Sequence, residues 1–281
     1  MTPSETIALE VIVVDACAQH EQAHWKDPNY RACVFIGTDY FVKFGDPKTL
    51  GPEIATQLHI FEYANSHPDI PNTPRIPQVI HHFQNQWTMY LVMEYIALTA
   101  DPPDLDGRAA EALKWLSGVP PPPGHVIGPL GGGRIRHRFF KDDRAPLLFS
   151  STEALERYMQ KGYSLLSTQT KQQLSPINIC GEHLMFIQPD MDSSNFGVDE
   201  HGKTVLMDFG EVALLPESFA AHAMTSDMDK NLTQAITKSL GLSSSSNAAK
   251  SMAAISWRLW ITADPKLGLN EHGYPKTRDR P

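Results

Sequence analysis

Phe186-Ile-Gln-Pro-Asp190-Met-Asp-Ser-Ser-Asn195-Phe-Gly-Val-Asp-Glu-His-Gly202-Lys-Thr-Val-Leu-Met-Asp208-Phe-Gly210 is the stretch on which the fold turns. Two short apolar runs flank Asp199-Glu200-His201-Gly202, so the segment predicts a β-hairpin. Paired strands lie about 4.8 Å apart. Asn195, at the open end of one strand, and Asp208, at the end of its partner, can therefore converge on one ion. Asp190, just upstream in a loop, can reach the same place. Two carboxylates and an amide, with no Cys or His among them, form a hard oxygen site suited to Mg²⁺ rather than zinc.

Two other patterns compete for attention. Gly197 to Thr204 fits GxxxxGK[ST], the phosphate-cradling loop, letter for letter. That loop needs a helix immediately after it, whose N-terminal amides hold the phosphates. Here the β-branched run Thr204-Val205-Leu206-Met207 follows, and Asp199 and Glu200 would oppose a polyphosphate. A hairpin turn is the better reading. His20-Glu21-Gln22-Ala23-His24 fits HExxH, the helix of zinc hydrolases, which is kept as a remote alternative. Asp27-Pro28 ends any helix within a turn, and no second motif offers a third ligand, so a polar surface segment is expected.

Working outward, Tyr30 to Ile36 and Tyr40 to Phe44 flank Gly37-Thr38-Asp39, a second hairpin signature. Pro52 stands where a first helical residue would be, with Ile54, Leu58 and Phe61 at helical spacing behind it. The proline-punctuated run from Asn65 to Pro77 is a loop, and the runs Gln78 to Phe83 and Trp87 to Tyr95 are strands. Beyond residue 96 the character changes. A short helix through Ala109 to Leu116 precedes the Pro/Gly-rich segment 118–133. Ser150 with Glu153 then reads as a capping box for the next helix. Leu232-Ile236-Leu240 and Met252-Ile255-Leu259 mark two more helical stripes across a Ser-rich loop. From about Asp264 the chain is polar and expected to lie extended on the surface. Trp115, Trp257 and Trp260 are expected in the core. A β-rich part, 1–96, is thus expected to meet a helical part, 97–281.

Composition narrows the function. The 281 residues carry 32 Asp+Glu against 24 Lys+Arg, a formal charge of −8. Nucleic-acid binders need a basic face, so none is expected here. The balance is compatible with a cationic small substrate. Three scattered cysteines give neither a zinc ribbon nor a disulfide framework. No signal peptide or membrane-length apolar run is visible, and a cytoplasmic setting is the expectation.

The D-x4-N followed by D-F-G resembles the catalytic core of the protein-kinase-like superfamily. Val42-Lys43-Phe44 looks like its strand lysine, Glu53 like the ion-pair partner of that lysine, and Met93-Glu94-Tyr95-Ile96 like its hinge. The resemblance covers residues from about 30 to 220. Asp208-Phe-Gly-Glu211 runs within a few residues into Leu215-Pro216-Glu217, leaving no room for the activation segment of a protein kinase. The pattern is closer to the aminoglycoside phosphotransferase/choline kinase family, and in particular to its divergent fungal members. Ile76-Pro77-Gln78-Val79, the hinge Val92 to Ile96 and Gly128-Pro129-Leu130-Gly-Gly-Gly133 carry that closer likeness. Gln188-Pro189 departs from the family's His-Gly, whose histidine is largely structural, and no Gly-rich nucleotide loop is visible in residues 1 to 30.

The resemblance implies an α/β (α+β) bilobal protein-kinase-like fold, with a small β-rich N-lobe holding one main helix and a mostly helical C-lobe. It implies ATP and Mg²⁺ as cofactors and a small hydroxylated acceptor. Lys43, Glu53 and the hinge residues Glu94, Tyr95 and Ile96 would hold nucleotide, Asn195 and Asp208 the metal, and Asp190 would act on the acceptor hydroxyl. Glu182, His183, Asp104 and Asp106 are further candidates for the acceptor pocket. A catalytically silent member acting as a binding module is the alternative.

Overall fold

Period-two alternation in one strand sets the architecture of the first third. The computed structural model describes residues 1–225, 230–242 and 247–276. It opens with helix α1 (Pro3–His24), then strands β1 (Cys33–Ile36) and β2 (Tyr40–Gly45), helix α2 (Pro47–Ser66), and strands β3 (Val79–Asn85) and β4 (Thr88–Glu94). The strands form one antiparallel sheet in the order β1-β2-β4-β3. On one face Val42, Phe44, Tyr90 and Val92 pack against Leu9, Val13 and Cys17 of α1. On the other, Leu91 and Met93 pack against Leu50 and Ile54 of α2. Lys43, between Val42 and Phe44, therefore points to the α2 side.

Two expectations change here. The N-lobe holds two helices, not one, because α1 covers the outer face of the sheet. Helix α2 starts five residues before Pro52: Pro47 takes the first helical position and Asp46 caps it by accepting from the Lys48 amide at 2.9 Å. Pro52 is then an interior proline.

The C-terminal part is mostly helical. Helix α3 (Leu105–Ser117), α4 (Thr152–Ser164), the short α5 (Thr168–Lys171), α6 (Glu217–Ala223), α7 (Lys230–Ser239) and α8 (Asn247–Trp260) enclose two small antiparallel ladders. One pairs β5 (Leu184–Ile187) with β8 (Ala213–Pro216); the other pairs β6 (Phe196–Val198) with β7 (Thr204–Leu206). Phe186, Leu206 and Phe209 pack with Trp115 of α3 and with Leu232 and Ile236 of α7. A second core joins Phe139, Phe140, Tyr158, Phe219, Met252 and Ile255.

Helix α4 is capped by Ser151, whose Oγ accepts from the Ala154 amide at 3.2 Å, and not by Ser150, which bonds the Glu271 carbonyl. The segment after Asp264 is docked rather than laid over the surface: Leu269 is buried and the Tyr158 hydroxyl donates to the Pro265 carbonyl. Arg75 ties the sheet to the β6-β7 hairpin. Its guanidinium reaches Glu94 at 2.6 Å and Asp199 at 3.1 Å, and its backbone bonds Thr204 and Leu206. Among the described residues no helix is long and apolar enough to cross a membrane.

Candidate active site

The β6-β7 hairpin brings its two ends together as its turn chemistry dictates. Asp199 accepts from the amides of His201 and Lys203, and Gly202 closes the turn at φ +78°. Lys203 is thus a turn residue followed by a strand, and Gly197 to Thr204 is not a phosphate loop. The register pairs Phe196 with Leu206, and the Met207 amide donates to the Asn195 carbonyl at 2.9 Å, so Asn195 and Asp208 emerge side by side.

Three groups then meet across the lobes. Lys43 Nζ lies 2.7 Å from Glu53 Oε1 and 3.0 Å from Asp208 Oδ1. Burial works against the Lys43 ammonium, but Glu53 and Asp208 outweigh it and hold its pKa above the ordinary lysine value. Burial alone would push the Asp208 carboxyl up; Lys43 and the Gly210 amide hold it below the usual carboxylate range instead. Glu53, almost fully buried, is kept above that range by burial despite Lys43.

Asp208 adopts φ +58°, a left-handed conformation that costs a non-glycine residue about 1–3 kcal/mol. Two hydrogen bonds fix it there. The Gln188 side-chain amide donates to the Asp208 carbonyl at 2.6 Å, and the Gly210 amide donates to Asp208 Oδ1 at 3.2 Å. Gln188 Oε1 in turn accepts from the Asp190 amide at 3.3 Å. Gln188 thus links Asp190 to Asp208. Asn195 donates through Nδ2 to Asp190 Oδ2 at 3.0 Å, which leaves its amide oxygen directed elsewhere.

These donors fit a magnesium ion. One amide oxygen and one carboxylate are few protein ligands, which suits an ion that keeps waters and binds phosphates. Among the described residues no group of three or more His, Cys, Asp or Glu is placed to hold a metal, so no such group includes His20 and His24 of the HExxH segment. Its residues are otherwise engaged: His20 bonds the Arg31 carbonyl at 2.9 Å and His24 the Asp27 carboxylate at 2.8 Å.

At the hinge, the Glu94 and Tyr95 amides donate to Gln78 and Asp39, and the Glu94 carboxylate is held by Arg75. Among the described residues the Ile96 amide has no protein partner.

Asp190 opens onto a cleft of 990 Å³ whose walls include Asp143, Glu211, His222, Trp257 and Trp260. Burial pushes the Glu211 carboxyl up to about 7, against the pull of Arg136 at 3.2 Å. Trp257 is 71% and Trp260 39% exposed, so these two line the cleft instead of the core; only Trp115 is buried. Glu182 is spent on Ser218, and neither it, His183, Asp104 nor Asp106 lines this cleft. Asp143 and Glu211 carried no local signal, since only the tertiary fold brings residues 143, 190 and 211 together.

No protein-family model and no curated protein matches the chain. Solved structures do. The GDP complex of wild-type aminoglycoside 2'-phosphotransferase-IIIa superposes with a TM-score of 0.51 at 12% identity, over 80% of this chain and 78% of that one. A thermostable mutant of aminoglycoside phosphotransferase APH(4)-Ia gives 0.49 at 11% identity, over 81% of each chain. At that identity the first likeness shows the fold. This chain has the protein-kinase-like fold found in aminoglycoside phosphotransferases. Nothing in the likeness speaks for a fungal branch.

Proposed function

We propose that this protein is an ATP-dependent phosphotransferase acting on a hydroxyl of a small molecule. The observation that supports it best is the convergence of Lys43, Glu53 and Asp208, with Asn195 and Asp190 beside them. Lys43, oriented by Glu53, would bind the phosphates of the nucleotide, and the free Ile96 amide would read its base. Asn195 and Asp208 would hold magnesium, which when bound supplies neutralisation of charge on the phosphate oxygens. Asp190 is held in place by the Asn195 side chain and the Gln188 oxygen. From there it would orient the acceptor hydroxyl in the cleft and take its proton as that oxygen bonds to the γ-phosphorus and the bond to the ADP oxygen breaks, releasing ADP. Its main contribution is positioning, which needs a rigid carboxylate more than a strong base.

The experiment is a screen of hydroxylated amines, sugars and hydroxy acids with Mg·ATP, read by mass spectrometry for an added phosphoryl group. Transfer to a member of the screen that disappears in Asp190→Asn supports the reading. Nucleotide binding with no transfer to any member would favour the catalytically silent alternative.

A further inference from the structure

A second cavity, of 330 Å³, lies between α2 and the segment 129–144. Its construction begins with the glycine run. Gly131, Gly132 and Gly133 all have φ between +75° and +106°. A Cβ on Gly131 would come within 2.9 Å of Ala55 Cβ, and one on Gly133 within 3.0 Å of Pro52 Cγ. Only glycine lets this segment lie against α2. Arg134-Ile-Arg-His-Arg138 follows, with Ile135 and His137 buried and the arginines turned to the opposite side. The backbone of Arg136 bridges that of Arg144 in antiparallel fashion, which places two like charges directly opposite each other. Lys48, from the first turn of α2, completes four cations on the wall.

Carboxylates are present too: Asp142, Asp143 and Glu211 line the same cavity. Yet among the described residues only Arg136 has one within ion-pair distance, Glu211 at 3.2 Å, and burial holds Glu211 partly protonated near neutrality. Lys48, Arg134 and Arg144 make no ion pair within 4.0 Å among the described residues. A chain of net charge −8 thus gathers four cations at one inter-lobe cavity, three of them without an ion pair among the described residues and two opposed in a backbone bridge.

We propose that this cavity binds an anionic group, a phosphate or carboxylate carried by a small molecule, between α2 and the 134–144 segment. The anion supplies the counter-charge that Lys48, Arg134 and Arg144 lack, and guanidinium groups suit such oxygens through paired hydrogen bonds. Asp143 and Glu211 also border the acceptor cleft, so a longer ligand would hold its anion here and offer a hydroxyl to Asp190. That extension rests on the phosphotransfer reading; the anion site does not.

The test is calorimetric titration of the full chain with inorganic phosphate and with glycerol 3-phosphate at low salt, with the nucleotide site filled by Mg·AMP-PNP. Both should bind, and both should weaken by at least about tenfold in Arg134→Gln/Arg144→Gln, while AMP-PNP affinity stays within about twofold. Binding should also weaken as salt is raised. Glycerol 3-phosphate binding markedly tighter than phosphate supports an anion on the acceptor; equal affinity supports a free anion at the same site. In the parent protein the guanidinium Nε resonances of Arg134 and Arg144 should move with phosphate, a readout independent of how the variant folds. No binding of either anion, unchanged affinity in the double variant, or stationary arginine resonances would overturn the proposal. Failure of AMP-PNP to bind would count against phosphotransfer, and the phosphate titration alone would still decide the site.

Discussion

Gln188→Leu should damage the candidate site without touching Asn195, Asp208 or Asp190, the proposed metal ligands and the proposed catalytic aspartate. Gln188 is 2% exposed and joins the Asp208 carbonyl at 2.6 Å to the Asp190 amide at 3.3 Å. Leucine fills similar volume but leaves that carbonyl without its partner. A lost neutral hydrogen bond contributes about 1 kcal/mol, and an orphaned buried polar group costs about 1–3 kcal/mol. The sum, about 2–4 kcal/mol, corresponds to a drop of roughly 3–7 °C in Tm for a chain of this size. The strained φ of Asp208 also loses a restraint, so Mg·ATP should bind more weakly and turnover should fall further than affinity. Gln188→His, which restores a ring nitrogen donor, should recover much of both losses. Differential scanning calorimetry and nucleotide titration give the two readouts. A Gln188→Leu protein with parental Tm and parental nucleotide affinity would refute the reasoning.

Lys203→Ala should leave nucleotide affinity unchanged, because Lys203 belongs to a hairpin turn; a loss measured by titration would overturn the fold assignment. Acid should act on stability through the buried histidines, against the opposite effect of the raised Glu211 carboxyl. His222, pushed down to about 4 by burial and Arg138, and His137, also lowered by burial, are neutral when folded but take up protons when unfolded below about pH 6.5. Between pH 6.5 and 4 the parent should therefore lose about 3 kcal/mol more than His222→Gln, as urea melts of the two across that range would show; parallel profiles contradict it. Asp190→Asn should reduce kcat by roughly 10²–10⁴ with any acceptor the screen identifies, while the KM for ATP barely moves. Near-parental turnover would shift the role to Asp192, two residues on.

The legible parts of this site are those set by short-range patterns. The β6-β7 hairpin has its turn residues and both functional ends within one stretch of sequence, and Lys43 sits in a strand whose alternation fixes its face. What stayed hidden depends on distant pairings. Helix α1 was obscured because Ile7, Val11 and Ile12 are exposed while Leu9, Val13 and Cys17 are buried, so its apolar residues mark no single face. Strand β8 pairs with β5 across the whole catalytic loop, a register that no local signal encodes. Met252, Ile255 and Leu259 take the buried side of α8, and this turns Trp257 outward. The role of Gln188 emerged only from its contact with the Asp208 carbonyl.

Titration of the parent chain and of Asp208→Ala with ATP, each with and without magnesium, tests the central claim most directly. The arrangement of Lys43, Glu53 and Asp208 predicts tight, magnesium-dependent binding by the parent. Asp208→Ala should lose the magnesium dependence and at least about tenfold in affinity, since a proposed magnesium ligand and one of the two carboxylate partners of Lys43 are both gone. Equal affinity in all four titrations would contradict it.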